Sequence, residues 1–128
     1  MKILLDTHAF IWWNSQPTQF SPESLAVLLQ PDTVRVVSVV SLWEIQIKSQ
    51  LGKLTLSQPL EEIYKSQTQN GISFLPVHPP HVFQLNSLPL HHKDPFDRLL
   101  IAQAITEELT ILTRDEIFKL YSVPLLSV

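Results

Sequence analysis

Four acidic side chains stand where carboxylates can do chemistry. Asp6 closes the apolar run Lys2-Ile3-Leu4-Leu5, and Glu44 lies about two helical turns beyond the β-branched run Val34–Ser38. Asp97 comes three residues after Asp94, and Asp115 follows Thr110–Thr113. Carboxylates gathered without matching Lys or Arg repel one another unless cations join them. An oxygen-only donor set suits Mg²⁺ or Mn²⁺, hard ions that keep several waters and are completed by substrate phosphate. Such ions activate water and stabilise charge during in-line displacement at phosphorus. The chemistry implied is phosphodiester hydrolysis.

Each acid also has a structural reading. Ser41-x-x-Glu44 spells a capping box, in which the Glu only serves a free N–H of the first turn. Asp94 fits an N-cap and Pro95 the first helical position. Asp97 then falls in the first turn, where the helix dipole favours a carboxylate. Around these acids, Arg98 and Arg114 read as ion-pair partners, with phosphate contact the rival role. His8 and the loop pair His91-His92 read first as solvated, with proton donation to a leaving oxygen the alternative. Trp12, Trp13 and Trp43 read as core residues beside apolar helix positions, against base stacking or a dimer contact.

The elements that must position these residues follow from period and punctuation. Short apolar runs at Lys2–Leu5, Val34–Ser38, Ile72–Val77, Thr110–Thr113 and Leu125-Leu126 read as five strands. Helical spacing falls at roughly 7–13, 21–30, 39–51, 59–69, 79–87 and 94–108. The alternation predicts an α/β domain over residues 1–128, its five-stranded, mostly parallel sheet flanked by helices. In such sheets ligands bind beyond the carboxyl ends of the strands, which is where Asp6 and Asp115 fall.

Composition excludes several other classes. With 128 residues, 45% of them hydrophobic and 16% charged, the chain can close one core. It has no cysteine, which removes disulfides, thiolate zinc sites and thiol nucleophiles and fits a cytoplasmic setting. No apolar run reaches the ~20 residues of a spanning helix, and the first residues do not form a signal peptide. The formal net charge of −3 does not suggest a nucleic-acid binder. If four acids hold cations, however, the remaining surface is about neutral.

Four stretches together resemble the PIN-domain ribonucleases, and within them the VapC-like toxins of type II toxin–antitoxin systems. They are Leu4-Leu5-Asp6-Thr7-His8-Ala9-Phe10-Ile11-Trp12-Trp13, Ser41-Leu42-Trp43-Glu44-Ile45, His92–Ala104 and Leu112-Thr113-Arg114-Asp115. The resemblance implies a PIN-like five-stranded parallel sheet and Mg²⁺- or Mn²⁺-dependent cleavage of RNA. It also implies inhibition by a cognate antitoxin and a homodimer. Asp6, Glu44, Asp97 and Asp115 match the family's metal ligands. Thr113 matches a hydroxyl that orients a ligand or water from behind, and Asp94 remains mainly the helix cap.

Three rival functions are weighed against this. An aspartyl phosphatase needs a second Asp two residues after Asp6, where His8 stands. A DNA nuclease of the same metal chemistry stays open, since no residue visibly recognises a 2′-hydroxyl. A non-catalytic binding module would leave a repelling acid cluster without use.

Overall fold

The apolar runs become β1 (Lys2–Leu5), β2 (Val34–Ser38), β3 (Ile72–Leu75), β4 (Thr110–Thr113) and β5 (Leu125–Ser127) in a computed structural model that describes residues 1–128. They form one sheet in the order β3-β2-β1-β4-β5, with every pairing parallel. The predicted third strand stops at Leu75 rather than Val77. Pro76 follows, lacks an N–H, and biases its predecessor toward the extended state in which the strand ends.

Six helices connect and cover the strands: α1 (Thr7–Ser15), α2 (Pro22–Leu29), α3 (Val39–Gln50), α4 (Leu60–Gln69), α5 (Pro79–Gln84) and α6 (Pro95–Glu107). The helix expected at 79–87 is α5 followed by a 3-10 turn, Leu85–Ser87. Because strand side chains alternate, the sheet feeds two cores. Ile3, Leu5, Val37 and Leu112 face a cluster closed by Phe10, Leu28, Ile45 and Ile63. Leu4, Val36 and Ile111 face the other, closed by Leu100, Ile101 and Ala104 of α6. Burial on both faces explains why the strands read as continuous apolar runs. No helix is long and apolar enough to cross a membrane.

The strand order sets the place of the site. From β1 the chain moves outward to β2 and β3, then returns to the other side of β1 for β4 and β5. The connections beyond β1 and β4 therefore diverge to opposite sides, leaving a crevice at their carboxyl ends where doubly wound sheets bind ligands. Asp6 follows β1 directly, and Asp115 lies two residues past β4.

Candidate active site

Asp6 is the N-cap of α1: Oδ1 accepts the N–H of Ala9 at 2.8 Å. Its other oxygen, Oδ2, accepts from the Thr113 hydroxyl at 2.5 Å, and Thr113 Oγ1 in turn accepts the Asp115 N–H at 3.0 Å. The last residue of β4 thereby ties the two acids beyond the central strands together. Only 6% of Asp6 is exposed. Burial pushes its carboxyl above the ordinary range, opposed by the Thr113 and Ala9 bonds and by His8, and Asp115 adds to the rise. Asp115 itself caps the following 3-10 turn through the Ile117 N–H.

The next residue after Asp6 leads to the second pair. Thr7 Oγ1 donates to Glu44 Oε1 at 2.7 Å and shares a hydrogen bond with Ser41 Oγ at 2.9 Å. Glu44 is buried on α3, and its Oε2 holds Lys48 Nζ at 2.6 Å one turn on. The expected capping box is absent. Ser38, the last residue of β2, caps α3 by accepting the Val40 N–H, so Ser41 and Glu44 lie inside the helix and face the rim. The Glu44 hydrogen bond raises the Lys48 pKa, with the charges of Asp94 and Asp97 adding to it. An ammonium is thus held charged among three carboxylates.

Asp94 and Asp97 open α6 as expected: Asp94 Oδ1 accepts the Asp97 N–H at 3.0 Å, and Pro95 takes the first helical position. The Asp97 carboxyl is pushed up to about 6, chiefly by burial, then by Asp94 and Glu44, against the His92 hydrogen bond. His92 Nε2 lies 3.3 Å from Asp97 Oδ2, and its Nδ1 lies 2.7 Å from Tyr121 Oη. His92 is therefore engaged rather than solvated.

Thr113 joins Asp115 to Asp6, Thr7 follows Asp6 and holds Glu44, and Asp97 lies within charge range of Glu44. No group of three or more His, Asp or Glu side chains is gathered around one point. On donor chemistry a hard divalent cation fits. The donors are all carboxylate oxygens, burial and mutual repulsion push two of them up, and one lysine ammonium already sits among them.

Other sequence expectations change. Arg98 pairs with no acid: it donates to the Pro89 and Leu88 carbonyls and to Tyr121 Oη. Arg114 donates to the Gln19 carbonyl and lies over Trp12, 4.3 Å from the ring centroid. Trp43 is not core but 58% exposed, edge-on to Phe96. Trp12 and Trp13 do pack against the core as expected, half-buried and edge-on to Phe20. Sequence reasoning missed Thr7, Lys48 and Tyr121. The i, i+4 spacing of Glu44 and Lys48 could have pointed to the second, whereas nothing local marks Tyr121.

Asp6, His8, Trp12, Arg114 and Asp115 line a cavity of about 270 Å³. A larger one, about 920 Å³, runs along the loop between α3 and α4. No strand ends on it and none of the four acids lines it, so the rim is the candidate site.

The PIN domain family model matches residues 3–123. Ribonuclease VapC22 of Mycobacterium tuberculosis (strain ATCC 25618 / H37Rv) is 25% identical over 114 residues, spanning 88% of this chain and 86% of its own. The solved structure of VapBC2 from Rickettsia felis, bound to a DNA fragment from its promoter, superposes with a TM-score of 0.74 at 18% identity. That match covers 99% of this chain and 98% of the other. DNA-bound VapBC from Salmonella typhimurium gives 0.68 at 13% identity, over 99% and 98%.

Proposed function

The chain belongs to the PIN domain family, and from that membership we propose that it is a metal-dependent endoribonuclease, the toxin of a type II toxin–antitoxin pair. The observation that carries the reading is the acidic rim at the carboxyl ends of β1 and β4, extended by Glu44 and Asp97 from α3 and α6. The similarity to a protein named as a ribonuclease supports RNA as substrate. The VapBC neighbours support a protein antitoxin as partner. Residues 1–128 act as one nuclease domain, and its working form is a cytoplasmic homodimer.

Asp6, Glu44, Asp97 and Asp115 hold the metal in this reading. The chemistry that Mg²⁺ or Mn²⁺ supplies when bound is Lewis acidity toward phosphate and activation of an attacking water. The chain's own groups prepare the site for it. Thr113 orients Asp6 and Thr7 orients Glu44 from behind, while His92 fixes Asp97. Lys48 pairs with Glu44 at 2.6 Å and offers an ammonium to a phosphate oxygen at the same rim. Asp94 serves as the cap that holds the first turn of α6 in place.

Purified protein with single-stranded and structured RNA plus Mg²⁺ or Mn²⁺ should yield cleavage products, and EDTA should abolish them. Asp6→Asn and Asp97→Asn should each lower the rate by at least about a hundredfold. Cleavage that survives both substitutions overturns the site. Cutting of DNA in preference to RNA overturns the substrate, and failure to cut either nucleic acid favours a non-catalytic binding module.

A further inference from the structure

Trp12 lines two cavities beside the rim. One, of about 270 Å³, contains Asp6, Asp115 and Arg114; the other, of about 440 Å³, contains Lys48, Lys53 and apolar Ile11, Ile45 and Leu54. His8 and Trp12 line both. The indole is clamped, with Phe20 edge-on at 6.4 Å and the Arg114 guanidinium carbon 4.3 Å from its centroid. The exposed ring of His8 stands 5.9 Å away.

The cations beside this indole are not used up by acids. Lys53 is exposed and makes no ion pair, and Arg114 gives its hydrogen bond to a backbone carbonyl. In a chain of net charge −3, two cations without acidic partners, Lys53 and the Arg114 that lies over the indole, stand beside one fixed aromatic ring at the edge of the acid rim. A planar, π-faced group with negative charges on both sides matches that surface. A nucleotide within a single strand has this form, because its base is free to stack and its phosphates flank it. In a duplex the base faces are buried, so paired RNA could not engage Trp12 in this way.

We propose that the Trp12 cavity is a nucleotide subsite for single-stranded RNA, with a base against Trp12 and His8 and the flanking phosphates on Lys53 and Arg114. The choice of RNA rests on the ribonuclease reading; the stacking and charge geometry does not. The 440 Å³ cavity falls within the size range of nucleotide-sized ligand pockets. Its apolar wall, Ile11, Ile45 and Leu54, removes one side of the base from water.

Binding separates from cleavage when the metal is withheld. In EDTA, a labelled single-stranded RNA oligonucleotide titrated with the full chain should bind more tightly than its duplex. Trp12→Ala should weaken binding about 5- to 100-fold, the range set by one stacked base, and Trp12→Phe should recover part of the loss. Lys53→Ala, at an exposed position, should weaken binding and reduce the slope of log affinity against log salt by about 0.7. Phe20 packs on Trp12, so melting curves accompany the Trp12 variants; Lys53→Ala carries the test if Trp12→Ala fails to fold. With Mg²⁺ or Mn²⁺ added, Trp12→Phe and Lys53→Ala should raise KM more than they lower kcat. RNA affinity and KM unchanged in Trp12→Phe and Lys53→Ala, with cleavage intact, overturn the subsite and leave the nuclease standing. That is also the result if a protein partner occupies the groove. Trp12- and Lys53-dependent binding without cleavage in any metal keeps the subsite and overturns the nuclease. Equal or tighter binding of the duplex overturns the single-strand assignment.

Discussion

Asp97 depends on a proton donor whose orientation is set two residues further back. Arg98 donates to Tyr121 Oη at 3.1 Å, so the single phenolic proton is free to point at His92 Nδ1, and Nε2 carries the hydrogen that faces Asp97. Tyr121 and His92 are thus positioning residues for Asp97. Tyr121→Phe should raise the Mg²⁺ or Mn²⁺ concentration for half-maximal cleavage about tenfold or more, the usual effect of losing a group behind a ligand. KM for RNA should move little. A metal requirement identical to that of the unsubstituted chain would remove Tyr121 from the site. The sequence could not disclose this relay, because His92 and Tyr121 lie 29 residues apart and meet only through tertiary packing. It could disclose the Asp94-Pro95-Asp97 start of α6, because capping is written in consecutive residues. The two oxygens of Asp6 divide the work, one capping α1 and the other taking Thr113.

At the scale of elements, the strands were legible because a parallel sheet buried on both faces demands continuous apolar runs. Boundaries were less so where a cap lies outside the expected motif. Ser41-x-x-Glu44 has the form of a helix start, yet Ser38 caps α3 from the end of β2. That shift of one turn changes Glu44 from a backbone partner into a rim carboxylate. The end of α6 is a second case. Glu108 occupies the C-cap in the left-handed region, with φ 57° and ψ 52°, its N–H bonded to the Ala104 carbonyl. No glycine announces that stop, and a side chain there carries the crowding that glycine avoids. Glu108→Gly should therefore raise stability by about 0.5–1 kcal/mol, the relief of that strain exceeding the added freedom of the unfolded chain. Urea denaturation checks this, with an unchanged slope and a higher midpoint expected. A lower midpoint would mean that the exposed Glu108 side chain contributes more than its backbone strain costs.

Across the whole molecule, if the rim holds metal as proposed, it should couple stability to protons and metal with opposite signs. Burial and neighbouring acids raise the Asp97 carboxyl from 3.8 to about 6, and burial shifts Asp6 in the same direction. Between those values the folded chain holds protons that the unfolded chain has released, so metal-free stability falls as pH rises. Asp97's contribution is fully present below about pH 4 and is lost as pH passes through about 6. A bound divalent cation reverses the trend, because it requires the ionised carboxylates. At about a hundred times its Kd, Mg²⁺ or Mn²⁺ should add ~2.7 kcal/mol, or roughly 10 °C in melting temperature for a chain of this size. Melting curves with EDTA and with metal should therefore coincide near pH 4 and separate toward pH 7. Asp97→Asn should flatten the metal-free curve and raise it above the unsubstituted chain at neutral pH, because the amide cannot ionise. It should also shrink the gain from metal. If the two curves of the unsubstituted chain stay parallel from pH 4 to pH 7, the raised carboxyls at the rim are not what the cation binds.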